Sequence, residues 1–206
     1  MFSTGFCTQP EGIAESADSE TLHWMKRKAA ERNCAIAGSV AVCENGNYYN
    51  RFYFVHPDGA VQHYDKKHLF TFGGEHKRFT AGTERVVVNF RGVRILFPVW
   101  SRNLGDYDMI LYVASWPTPR VDAWSALLRA RAIDNQCYVA GVNRMGTDPA
   151  CEYSGGSAII DPYGKTIAEC PWSRESAVSA DIDMEALQAF RKKFPVLDDA
   201  DPFTLI

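Results

Sequence analysis

Between Asp18 and Asn33 the apolar residues Leu22, Met25, Ala29 and Ala30 recur at helical spacing, with Lys26, Arg27 and Glu31 elsewhere, so this stretch predicts an amphipathic helix. The run that follows, Cys34 to Val42, is apolar, rich in small residues and without clean alternation, as in a strand covered on both faces. Asn45-Gly46 supplies turn chemistry, a second strand is expected from Tyr48 to Val55, and Pro57-Asp58-Gly59 returns the chain through a third, Ala60 to Tyr64. These three strands form a meander, with Lys66 at the exit of its last member. Residues 71 to 84 hold three glycines and mixed charge and read as a loop.

Arg85 to Phe90 and Val93 to Leu96 predict two more strands around Arg91-Gly92. Asp108 to Val113 is an apolar run of buried-strand length that ends in the loop Ala114 to Arg120, and functional groups often project from such strand ends. Asp122 is placed to N-cap a helix in which Leu127, Leu128, Arg131 and Ile133 lie close together, and Cys137 to Val142 follows as a buried strand. Ser157 to Asp161, the Pro162-Tyr163-Gly164-Lys165 turn and Thr166 to Glu169 predict a hairpin. Ala177 to Ile182 is expected as a further strand, and Met184 to Phe194 as a last helix stopped by Pro195. The tail from Val196 to Ile206 either wraps a neighbour or is a loosely held end. Strands linked partly by hairpins and partly by helices predict a mixed α/β architecture of two packed sheets flanked by helices. No repeat, low-complexity tract or linker interrupts residues 1–206, so a single domain is expected.

With 206 residues, 46% of them hydrophobic and 13% aromatic, the chain can bury a sizeable core and does not have the composition of a disordered segment. It carries 22 basic against 25 acidic residues and no basic run longer than Arg191-Lys192-Lys193, which argues against nucleic acid or an acidic membrane surface as partner. The six cysteines (Cys7, Cys34, Cys43, Cys137, Cys151, Cys170) are scattered, without C-x-x-C pairs or zinc spacing, as expected of reduced thiols. His23, His56, His63, His68 and His76 form no metal-binding pattern. Met1 to Phe6 lacks the features of a signal peptide, and no segment reaches the roughly 18 apolar residues of a membrane helix. A soluble, cytoplasmic protein is the expectation.

The densest polar cluster is Tyr64-Asp65-Lys66-Lys67-His68-Leu69-Phe70, followed closely by Gly73-Gly74-Glu75-His76. A lysine at a strand exit near a carboxylate can be held in one geometry, where its ammonium stabilises a developing oxyanion. On these residues alone a solvated charged turn is the more ordinary reading.

The order of several stretches changes that balance. Met1 to Phe6, the lysine motif Tyr64 to Phe70, the stretch Phe97-Pro98-Val99-Trp100-Ser101-Arg102-Asn103, and the segments Asp106 to Arg120, Arg129 to Asp148 and Phe194 to Phe203 together resemble the omega-amidase branch of the nitrilase superfamily, over nearly the whole chain. The resemblance implies a nitrilase-like four-layer α-β-β-α sandwich of two mixed sheets flanked by helices. It implies an amide hydrolase without a cofactor, paired as a homodimer and acting on omega-amides of small dicarboxylates such as 2-oxoglutaramate. In such enzymes a glutamate takes the proton of a cysteine thiol, the thiolate attacks the amide carbonyl, ammonia leaves, and water hydrolyses the thioester. Carried over by motif, Lys66 is the oxyanion stabiliser and Glu75 the second, supporting glutamate. Trp116, with Arg102, Arg120 and Arg144 in or beside loops that follow strands, are the candidates for holding the substrate and its free carboxylate.

Two departures stand against these agreements. The family's first glutamate precedes the Met-Phe that here occupies positions 1 and 2, and the turn bearing its nucleophilic cysteine belongs between Leu96 and Phe97, which are adjacent here. No cysteine of the chain fills that role by position. Cys137 reads as a small core residue, and Cys151, though the most plausibly exposed thiol, lies far from the nucleophile's place in the motif order. A deletion there would truncate a central strand and leave its neighbours with unpaired backbone groups, each costing roughly 1 to 3 kcal/mol when buried. The expectation is therefore an amidase whose nucleophile segment is absent from this sequence. The alternatives are a catalytically inactive fragment with an interaction role and an unrelated α/β binding module.

Overall fold

The chain, described in a computed structural model over residues 1–97 and 101–201, divides into two units, Met1–Val88 and Asn89–Ile206. Pro98, Val99 and Trp100, within the stretch matched to the family after its nucleophile, lie outside the described residues, as do 202–206 of the tail.

In the first unit, β1 (Glu15–Ser16) is followed by α1 (Glu20–Arg32), β2 (Ile36–Glu44), β3 (Asn47–Val55) and β4 (Val61–Asp65). Ser19 starts α1: its hydroxyl accepts from the Leu22 N–H at 3.1 Å, satisfying one of the donors that a helix start leaves free. Asn33, at φ 49, ends it in the left-handed conformation. Leu22, Met25 and Ala29 pack with Val40, Val42, Tyr53 and Val55 in one core. Ala30, expected on the same face, is exposed, because the seam is only as wide as the 22/25/29 stripe. The expected meander is present. β2, β3 and β4 pair antiparallel in the order β1-β2-β3-β4, and β1, too short to leave a periodic signal, adds in parallel to β2. Asn45 (φ 51) and Gly46 (φ 78) both take the positive φ that a two-residue hairpin turn requires.

The second sheet has six strands in the order β12-β11-β8-β7-β6-β5. They are β5 (Val87–Phe90), β6 (Val93–Leu96), β7 (Met109–Ala114), β8 (Tyr138–Asn143), β11 (Ala158–Ile160) and β12 (Thr166–Glu169). β6, β7 and β8 run parallel, with α2 (Val121–Asp134) as the crossover from β7 to β8, while β11 pairs antiparallel with β8 and β12 antiparallel with β11. The helix buries Trp124, Leu128 and Ala132, spaced four residues apart, whereas Leu127 and Ile133 of the expected cluster are half exposed. Gly141 explains the choice of face, since a Cβ there would lie 2.4 Å from the Leu128 side chain, so the bare backbone of β8 lets the helix settle on it. Asp122 is not the N-cap. Arg120 holds that position, and Asp122 sits inside the first turn, where its charge still complements the helix dipole.

Two further expectations are corrected. Residues 145–154 contain a hairpin that sequence reasoning missed, β9 (Met145–Thr147) with β10 (Glu152–Ser154). Ala177 to Ile182 forms no strand. It is largely exposed and has no ladder partner among the described residues, and a short Ala/Ser-rich run cannot hold β geometry without one. α3 (Met184–Lys193) follows, N-capped by Asp183, whose carboxylate accepts from the Ala186 N–H at 2.8 Å.

A buried charge cluster ties α3 to this sheet. Asp108, 1% exposed, accepts from Arg94 Nε at 2.8 Å, Arg94 Nη2 at 2.7 Å and Arg191 Nη1 at 2.8 Å. Burial alone would raise the Asp108 pKa, but the bonds from Arg94 and Arg191 outweigh it and hold the carboxyl below its ordinary value. Next to β8, Cys137 is the core thiol expected of it: buried, and pushed up to about 12 by that burial.

The centre of the sheet is uneven. β8 pairs with β7 from Met109 through Ala114, but among the described residues β6 pairs with β7 only through Ile95 with Met109 and Leu96 with Ile110. The residues that directly follow Phe97 lie outside the described ones.

Candidate active site

Lys66 is the first residue beyond β4, and both of its backbone groups are fixed. Its N–H donates to the Asn50 carbonyl at 3.0 Å, and its carbonyl accepts from Gly82 N–H at 3.2 Å. A Cβ at position 82 would lie 2.0 Å from the Asp65 carbonyl oxygen, so a glycine is needed for the returning loop to approach this closely. The loop contains one 3₁₀ turn, Glu75–Lys77, entered through Gly74 at φ 77.

That turn carries Glu75 inward until it is 0% exposed, which overturns the reading of a solvated loop glutamate. Oε2 accepts from Lys66 Nζ at 2.6 Å and from the Phe70 N–H at 2.6 Å, while Oε1 accepts from Asn50 Nδ2 at 2.9 Å. A buried carboxylate is tolerated when its counter-charge and remaining acceptor sites are supplied in this way. The lysine side chain remains 32% exposed. An ammonium has three donors, so with Glu75 holding one the others can meet an oxygen arriving from solvent. The Phe6 ring centroid lies 5.3 Å from Nζ, and Phe6 meets Phe70 edge-on at 6.3 Å, giving the cation an aromatic flank.

Asn50 was not singled out from the sequence. Its signal was a polar Asn50-Arg51 pair inside the aromatic strand Tyr48 to Val55, and both residues are buried. Cys7, in the same unit, is partly buried. Burial raises its pKa, and the Glu75 charge raises it too, which is the reverse of nucleophile activation.

In the second unit Trp116 and Arg120 come together. The guanidinium carbon of Arg120 stands 4.9 Å over the Trp116 ring, and Trp116 Nε1 donates to the Arg120 carbonyl at 2.5 Å. The loop is anchored by Asn143 at the end of β8, which accepts from the Trp116 N–H at 2.7 Å and donates to the Trp116 carbonyl at 3.0 Å and the Gly155 carbonyl at 2.7 Å. Arg144 is engaged in the β9–β10 hairpin: Asp148 at 3.3 Å, the Thr147 carbonyl at 3.3 Å and the Tyr153 ring at 4.4 Å. Arg102 is half-buried. None of these four lines the small cavity of about 50 Å³ beneath Trp172. No trio of His, Cys, Asp or Glu with metal-site geometry occurs among the described residues, and none of their helices is long and apolar enough to cross a membrane.

The carbon-nitrogen hydrolase family model matches residues 1–192. The chain belongs to the carbon-nitrogen hydrolase family. Among relatives of this carbon-nitrogen hydrolase, the omega-amidase YafV of Escherichia coli is 48% identical over 215 residues, a match that takes in 100% of this chain and 83% of YafV. The 2-oxoglutaramate amidase of Bacillus subtilis is 36% identical, over 97% of this chain and 82% of its own length. A crystal structure of a CN-hydrolase superfamily protein from Xanthomonas campestris superposes with a TM-score of 0.95 at 41% identity, covering 100% of this chain and 83% of that one. The nitrilase-superfamily resemblance, its YafV-like branch and the α/β fold class are thereby borne out. The pairing with YafV is longer than this hydrolase's own 206 residues, so within the matched stretch YafV has residues that have no counterpart here.

Proposed function

We propose that this carbon-nitrogen hydrolase is an omega-amidase that releases ammonia from the omega-amide of a small dicarboxylate such as 2-oxoglutaramate. The observation that carries the reading is the Lys66–Glu75 pair, a buried carboxylate fixing the ammonium of a lysine whose side chain is partly exposed. Two relatives called omega-amidase and 2-oxoglutaramate amidase point to the same reaction. In this reading a thiolate attacks the amide carbon and Lys66 donates to the oxyanion that forms. The C–N bond then breaks with a proton passing to the leaving nitrogen, and water cleaves the thioester to give the carboxylate and restore the thiol. Trp116 with Arg102, Arg120 and Arg144 forms the pool of groups that orients the substrate and its free carboxylate. The reaction needs no cofactor, and the working form is a cytoplasmic homodimer of a single carbon-nitrogen hydrolase domain.

The nucleophile in this reading belongs to a segment between Leu96 and Phe97, and the base to residues before Met1. The pairing with YafV, longer than the 206 residues of this chain, supports the presence of additional residues in that relative. The test compares ammonia release from 2-oxoglutaramate by the 206-residue chain and by a completed chain carrying YafV's corresponding segments at both places. The completed chain is expected to turn over and to be silenced by iodoacetamide, and the 206-residue chain to be inert. A folded but inactive completed chain would sink the proposal.

A further inference from the structure

We propose that Asn50 is a positioning residue that locks the Lys66–Glu75 pair into one geometry. The inference rests on the reading of Lys66 as oxyanion donor and extends it to a residue outside the motif. Asn50 lies on β3 and is 9% exposed, and it reaches both members of the pair. Its backbone carbonyl accepts the Lys66 N–H at 3.0 Å, which fixes where the lysine leaves β4. Its side-chain amide donates to Glu75 Oε1 at 2.9 Å, which fixes the roll of the carboxylate.

The roll is what requires a dedicated group. The terminal torsion of a glutamate is broad and nearly two-fold, so a carboxylate held at one oxygen can turn. Here Oε2 has two tasks, receiving Lys66 Nζ and the Phe70 N–H, each at 2.6 Å, and both are met only if Oε1 is held on the other side. An amide suits that side because it donates without bringing charge. A lysine or arginine would compete with Lys66 for the carboxylate, and an aliphatic residue would leave Oε1 buried without a donor. An aspartate would place two carboxylates in hydrogen-bond contact, which forces them to share a proton. The neighbouring Arg51 is turned to the opposite face of the strand, where it pairs with Asp65 at 2.8 Å and Glu44 at 3.0 Å. The groups that face Glu75 are Lys66 from the exit of β4 and the Cys7 thiol from the N-terminal segment. His76 and Lys77 stand beside it on its own turn.

The experiment needs no turnover, so it succeeds or fails independently of the amidase reading. In the 206-residue chain labelled with nitrogen-15, the Lys66 ammonium signal is assigned by its loss in Lys66→Arg, and its hydrogen exchange is followed as a function of pH. In Asn50→Ala, exchange is expected to be faster by about tenfold or more, the loss of one hydrogen bond to a charged group. In the near-isosteric Asn50→Asp, exchange should match the parent at low pH, where the introduced carboxyl is protonated and donates to Glu75. Relative to the parent, it should rise towards the Asn50→Ala rate once the introduced carboxyl ionises. This pH-gated rescue would not arise from a merely structural asparagine, and it decides the matter alone if Asn50→Ala fails to fold. An unchanged Lys66 exchange rate in Asn50→Ala, or an Asn50→Asp rate whose ratio to the parent does not change with pH, overturns the proposal.

Discussion

Lys66 is asked to do two things at once, to neutralise a buried carboxylate and to offer hydrogens to an incoming oxygen, and substitutions can separate them. In the completed chain, Lys66→Met should lower ammonia release by about 10²- to 10³-fold, the usual cost of losing one oxyanion donor. It should also lower the unfolding free energy by about 3 kcal/mol in urea melts, because Glu75 is left buried without its counter-charge. Lys66→Arg should recover most of the stability but little of the rate, since a planar guanidinium cannot present the same donors from the same point. A Lys66→Met variant with full activity would remove Lys66 from the mechanism. Lys66 was legible in the sequence because its motif places a lysine at a strand exit. The burial of Glu75 was not, because whether a loop glutamate turns inward depends on a donor set assembled from two separate stretches: Asn50 on β3, and Lys66 with the Phe70 amide in the motif beyond β4.

At the scale of elements, alternation and turn chemistry located most strands, and long-range packing decided what they could not. Leu127 and Leu128 are equally apolar, and only the missing side chain at Gly141, a residue on another element, selects Leu128 as the buried one. Ala177 to Ile182 failed for the converse reason, having strand-like residues and no strand to pair with among the described residues. The Arg94–Asp108–Arg191 cluster likewise joins residues far apart in the chain, and it makes a pH prediction. The carboxyl of Asp108 is held below its ordinary value of 3.8 in the folded state. Its contribution is therefore fully present above about pH 4 and is lost as pH falls through the lower folded value. Asp108→Asn should cost about 3 kcal/mol at neutral pH, since two arginines lose their shared partner. In acid titrations followed by circular dichroism, the gap between variant and parent should narrow below about pH 4. A gap that stays constant to the acid limit would show that the carboxylate charge contributes nothing.

For the molecule as a whole, the motif order identified the family over nearly its full length, yet the same order exposed the junction at Leu96 and Phe97 as the place where the chain departs from it. A parallel strand in the middle of a sheet has backbone groups to satisfy on both edges, and β7 finds partners along its whole length on the β8 side but, among the described residues, only at Met109 and Ile110 on the β6 side. A segment that extends β6 beside Leu111–Ala114 would add ladder bonds there, and even about 2 kcal/mol gained corresponds to a rise in Tm of about 4 °C or more for a domain of this size. The completed chain should therefore melt higher than the 206-residue chain by at least that margin, in calorimetry without substrate. Because the comparison uses no catalysis, it separates the structural role of the segment from its chemical one. A completed chain with an unchanged Tm would mean that β7 is already satisfied without it, and the added residues would then act on chemistry alone.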